Sequence, residues 1–123
     1  MADRNFNRVQ ALEKEIKHLY ADVAIGATGA PTLTTGLGVT SITRDSAGVY
    51  IVTLDDTYNK LIHFNAMMLE ATAEDITFQV ETEAVATSKT VQFQCKAAAV
   101  ETDPSNGSRL LLHFTVRNSS VGA

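Results

Sequence analysis

The chain has 123 residues, 45% hydrophobic, 7% aromatic and 20% charged, with no tryptophan, which is the size of one ordinary domain with room for an appendage. Fourteen acidic against ten basic side chains give a formal charge of -4, so the basic footprint that nucleic acid and anionic lipid require is missing. One cysteine closes no intrachain disulfide, and no Cys/His spacing surrounds a zinc ion, so noncovalent packing must hold the fold and no cofactor or metal is expected.

The start, Met1-Ala2-Asp3-Arg4-Asn5, leads into charged sequence, and no apolar run reaches 18 residues. We therefore expect a soluble chain made without a signal peptide and with no membrane partner. Residues 4–23 carry apolar side chains at Phe6, Val9, Leu12, Ile16, Leu19 and Val23, separated by 3, 3, 4, 3 and 4 positions with no glycine or proline between them. That spacing predicts a helix, and residues 1–25 are read as an N-terminal oligomerisation segment. From Val9 onward the period is that of a heptad: Val9, Ile16 and Val23 fall at a, and Leu12 and Leu19 at d.

Residues 26–36 are uncharged and crowded with Gly, Ala and Thr, a composition that reads as an extended linker. Beyond it, in 37–123, the period changes to two. Residues 39–44 and Val49 to Leu54 alternate around the cluster Asp45-Ser46-Ala47-Gly48, which predicts a hairpin. Leu61 to Ala71 fits both periods and is read as a strand. Ile76 to Glu81, Val91 to Ala97 and Leu110 to Arg117 alternate clearly, and Asp103-Pro104-Ser105-Asn106-Gly107 has strong turn chemistry. About six strands, each with one apolar and one polar face, are satisfied best by an antiparallel β-sandwich. The expected fold class is mainly β, with a helix and a linker in front.

One motif has specific chemistry. Arg8 falls at g and Glu13 at e, flanking the seam. In a parallel bundle the guanidinium of one chain can bond the carboxylate of the next while its stem covers the seam. This spelling resembles the short trimerisation motif of three-stranded coiled coils. The core positions by themselves point the other way, since β-branched residues at a with Leu at d favour dimers.

Other candidates read as structural. His18, His63 and His113 are far apart in sequence, with no second ligand at useful spacing. Asp55-Asp56 and Glu81/Glu83 fall at a turn and on the polar phase of a strand, where carboxylates are solvated. Cys95 is in an apolar phase and reads as a small hydrophobe, and Met67-Met68 reads as core. No nucleophile and base can be paired, so no enzyme is expected.

The run Gly38-Val39-Thr40-Ser41-Ile42-Thr43-Arg44, followed by Ala47-Gly48-Val49-Tyr50-Ile51-Val52-Thr53-Leu54, resembles a hairpin common in tailed-bacteriophage virion proteins. With the size, the lack of cysteine pairs and the N-terminal motif, the chain is similar to trimeric capsid decoration, or cement, proteins. The resemblance implies a non-enzymatic homotrimer on the capsid exterior, made in the host cytoplasm, that clamps the major capsid protein lattice. Arg8 and Glu13 would then lock a seam of Val9, Leu12, Ile16, Leu19 and Val23. The alternative is a tail or head fibre tip that binds a host receptor or glycan.

Overall fold

The computed structural model describes residues 16–118, all in one β-sandwich. Nine strands run in chain order: β1 (Ile16–Ile25), β2 (Pro31–Leu37), β3 (Val39–Ser46), β4 (Val49–Leu54), β5 (Lys60–Leu69), β6 (Thr77–Ala84), β7 (Thr90–Ala97), β8 (Val100–Glu101) and β9 (Arg109–Arg117). A four-stranded sheet has the order β2-β1-β9-β5. The five-stranded sheet runs β3-β4-β7-β6, with the short β8 also pairing β7. Every pairing is antiparallel.

The antiparallel sandwich and the hairpin of β3 and β4 follow the alternation in the sequence. The segment before them does not. Ile16, Leu19 and Val23, expected on a helical seam, are in strand β1, and Leu19 and Val23 are buried in the domain's own core. A spacing of four is even as well as helical, so Leu19 and Val23 fit both periods. Ala21 and Ile25 decide between them, because both are buried on the same side as Leu19 and Val23, with His18, Tyr20 and Asp22 opposite. The pairing partner is remote in sequence: β1 aligns with β9 from Ile16↔Arg117 to Ala24↔Arg109. Arg8, Val9, Leu12 and Glu13 lie outside the described residues.

The expected linker is also structured. Gly26 to Ala30 form a tight loop with a 3-10 turn over Ala27–Gly29, and Pro31–Leu37 is an edge strand on β1. Pro31 opens that strand, where a missing N–H is tolerated, and the β-branched threonines suit extended backbone.

The core lies between the sheets. Leu110, Leu112, Phe114 and Val116 of β9 face Tyr50, Val52 and Leu54 of β4 and Val91, Phe93 and Cys95 of β7, all at 2% exposure or less. Phe93 is its hub: its ring centroid is 5.7 Å from Tyr50, 5.2 Å from Phe64 and 6.4 Å from Phe78. Edge strands β5 and β6 bury their inward residues, Phe64, Met68, Phe78 and Val80 among them, only in part.

One end of the sandwich is tied by Asp103. Its carboxylate accepts two bonds from the Arg44 guanidinium (3.0 and 2.8 Å) and one from the Gly48 N–H (2.8 Å). The buried Tyr50 hydroxyl donates to the Gly29 carbonyl at 2.8 Å, so three separate segments meet there: the loop before β2, the β3–β4 hairpin and the loop before β9. Gly48 has φ +74°, and a Cβ at that position would come within 2.6 Å of the Thr102 nitrogen and 2.7 Å of the Cys95 carbonyl oxygen. Only glycine allows β3 and β4 to turn this close to β7.

Candidate functional site

The two outer faces of the sandwich differ in chemistry. That of the five-stranded sheet is largely polar, with Thr43, Thr53, Gln79, Glu81, Gln92 and Lys96 in its outward phase beside the half-buried Ile51. Such a face is stable against water as it stands. The outer face of the four-stranded sheet presents apolar side chains instead: Tyr20, Leu37, Met67, Leu69 and Leu111 are 48%, 61%, 60%, 50% and 36% exposed.

Strand register arranges this face in cross-strand rows. One row is His63, Thr115 and His18 on β5, β9 and β1, and the next is Asn65, His113, Tyr20 and Leu37. The third is Met67, Leu111, Asp22 and Thr35, and the fourth begins with Leu69, Arg109 and Ala24. Between Tyr20, Leu37 and Leu111 lies a shallow groove of about 290 Å³. The Asp22 carboxylate at its floor is held by Arg109, which leaves the groove without a free charge.

The register also gathers the three histidines. His18 Nδ1 and His113 Nε2 are 3.0 Å apart, while the ring centroids are 5.3 Å apart. The excess is about one ring width, so the rings meet head-on, one donating N–H and the other accepting. Tyr20 stacks on His113 at 4.8 Å with 8° between the planes. Burial lowers the His113 pKa below its ordinary 6.5, and His18 and His63 lower it further. A head-on pair has no lone pairs converging on a shared metal. Among the described residues, no three His, Cys, Asp or Glu side chains are grouped so as to hold a metal ion.

No family model, curated protein or solved structure matches the chain.

The remaining polar candidates are used locally. Asp55 accepts from the Tyr58 hydroxyl at 3.1 Å, and Asp56 from the Thr57 N–H at 2.8 Å. Glu81 accepts from the Gln92 amide and Glu83 from the Val85 N–H, at 2.7 and 2.9 Å. Cys95 is fully buried, and burial pushes its thiol up to about 12, far from the thiolate a nucleophile needs. Met68 faces the core, whereas its neighbour Met67 stands out on the apolar face.

The seven residues assigned to oligomerisation divide accordingly. Ile16, Leu19 and Val23 are in β1, with Leu19 and Val23 facing inward. The apolar face was missed, although the sequence has its signal. Leu111 and Met67 occupy the polar phase of their strands, where the alternation of β5 and β9 calls for hydrophilic side chains.

Proposed function

We propose that the chain is a non-enzymatic structural protein of a tailed-phage virion, which decorates and stabilises the head by repeated binding to the major capsid protein lattice. The observation that carries the reading is the apolar face of the four-stranded sheet: five large side chains lie open, and the one carboxylate in the groove between Tyr20, Leu37 and Leu111, that of Asp22, is already paired with Arg109. A patch of this kind on a soluble domain marks protein contact. The hairpin Gly38 to Leu54 supplies the resemblance to virion proteins. Many weak contacts multiplied by several copies on a repeating lattice give firm attachment without a deep pocket.

With β1 occupying residues 16–25, three of the five seam positions, Ile16, Leu19 and Val23, are in a strand, so the attachment proposed here does not rest on a threefold helical bundle. Quantitative mass spectrometry of purified virions tests the reading. Hundreds of copies per particle are expected. A few to about a dozen would place the chain in the tail or portal, and its absence from virions would refute the proposal.

A receptor- or glycan-binding fibre tip is the second reading, favoured by one observation. Tyr20, braced by His113, offers a half-exposed ring of the kind on which sugars stack. Binding on a glycan array that a Tyr20→Ala variant loses, with no affinity for empty capsids, would establish it instead.

A further inference from the structure

We infer that His18 and His113 act as one proton-sharing clasp between β1 and β9, which holds through the uptake of a first proton and opens on the second, so that acid loosens the start of β1.

The two rings are placed to share a proton. His18 Nδ1 and His113 Nε2 are 3.0 Å apart with the rings head-on, so each of these nitrogens has the other as its partner. With both rings neutral, one nitrogen donates its N–H and the other accepts through its lone pair. A first proton, taken by the other nitrogen of the donating ring, leaves this bond in place and makes its donor charged, which strengthens it. A second proton must occupy the nitrogen that was accepting. Both facing nitrogens then carry hydrogen and positive charge, no lone pair remains between them, and attraction becomes repulsion.

The surroundings do not absorb that second charge. Lys60 and Arg117 stand in the row before His18, His63 lies across Thr115 from it, and Lys17 is its neighbour on the opposite phase of β1. The loop of Asp55 and Asp56 is at the same end as Lys60 and Arg117: the Asp55 N–H donates to the Gly38 carbonyl and the Asn59 N–H to that of Arg117. Its carboxylates accept from the Tyr58 hydroxyl and the Thr57 N–H. In the row of His113 are Asn65, Tyr20 and Leu37, and in the row beyond it Asp22 is held by Arg109. Among the described residues no carboxylate pairs with a histidine. Burial first, then His18 and His63, lower the His113 pKa below 6.5, the direction that this crowding requires.

Thr115 determines which ring leaves. Its hydroxyl is 3.4 Å from His113 Nε2 and its oxygen can accept that N–H once His18 is charged. Tyr20 also stacks on His113. His18 is exposed and has no second partner among the described residues, so it is the ring that turns to water. The strand beneath it is weakly supported. β2 pairs β1 only from Tyr20↔Leu37 onward, so Ile16 to Leu19 have β9 as their one neighbouring strand. Over that stretch, among the described residues, the bond from His18 is the one side-chain hydrogen bond to β9.

The experiment is an NMR titration of the full chain with labelled histidine from about pH 8 to about pH 4, a span that brackets an ordinary histidine. Amide exchange is followed in parallel as protection factors, which remove its intrinsic dependence on pH. We expect His18 and His113 to titrate as a coupled pair, in two steps at least about one pH unit apart. Protection of the β1 amides before Tyr20 that bond β9 should hold through the first step and fall about fivefold through the second, the worth of one hydrogen bond. Protection at Val23 and Leu110 should not change. His18→Gln, which offers no site for a second proton, should raise the midpoint of His113, leave it a single step and abolish the fall. His63→Gln should keep both steps.

Titration of the two rings together in one step, protection that stays flat across the second step, or the same fall in His18→Gln would each overturn the inference. So would a loss of protection that includes Val23 and Leu110, because acid would then be unfolding the domain as a whole.

Discussion

Replacing Asp103 by alanine tests how firmly one carboxylate ties the β3–β4 hairpin to the loop before β9. The substitution removes a two-pronged bond to Arg44 and the acceptor for the Gly48 N–H. The ion pair is partly exposed, at 32% for Arg44 and 22% for Asp103, so it contributes about 1 kcal/mol at most. The stranded Gly48 N–H, part-buried against β7, costs a further ~1 to 2 kcal/mol. The total is about 2 to 3 kcal/mol, or a fall in Tm on the order of 10 °C for a domain of this size.

Asp103→Asn keeps an acceptor for Gly48 and loses only the charge, so about 1 kcal/mol is expected for it. Urea and thermal unfolding followed by circular dichroism read both variants. The Arg44 guanidinium, and then the Gly48 N–H, hold the Asp103 pKa below its ordinary 3.8. A depressed carboxylate contributes stability that is present above 3.8 and lost as pH falls through the folded value. The parent should therefore lose its advantage over Asp103→Ala only below about pH 4. Equal stability of the parent and Asp103→Ala at pH 7, within about 0.5 kcal/mol, would refute the reasoning.

Three further outcomes follow from the backbone and the histidines. Gly48→Ala should destabilise by more than about 3 kcal/mol, since its Cβ meets two backbone atoms at a positive φ; a soluble variant with a parent-like melting curve would contradict this. The turn from β7 to β8 holds Ala98 and Ala99 at φ 53° and 68°, a conformation that favours Asn-Gly. Ala98→Asn with Ala99→Gly should thus raise stability by about 1 kcal/mol in urea titrations. His113, depressed from 6.5 by burial and then by His18 and His63, contributes stability that is present above pH 6.5 and lost as pH falls through its folded value. The Tm should drop between pH 7.5 and 5, and the drop should shrink in His113→Asn; an equal drop in both would remove His113 as its source.

The sequence by itself determined the β class, the hairpin of β3 and β4, and the core phases of β7 and β9. Alternation in Val91, Phe93 and Cys95 or in Leu110, Leu112, Phe114 and Val116 is a local property that a two-faced sheet requires wherever it sits. The first described strand was decided only by tertiary structure. Ile16 to Ile25 satisfies a heptad and an alternating pattern together, and its pairing with β9, about ninety residues away, is what selects extended backbone. Register likewise brought His18, His63 and His113 onto one patch and lined Tyr20, Leu37, Met67 and Leu111 into one strip. Spacing along a chain cannot show which strands become neighbours, because a sheet joins residues through hydrogen bonds between segments that the sequence keeps apart.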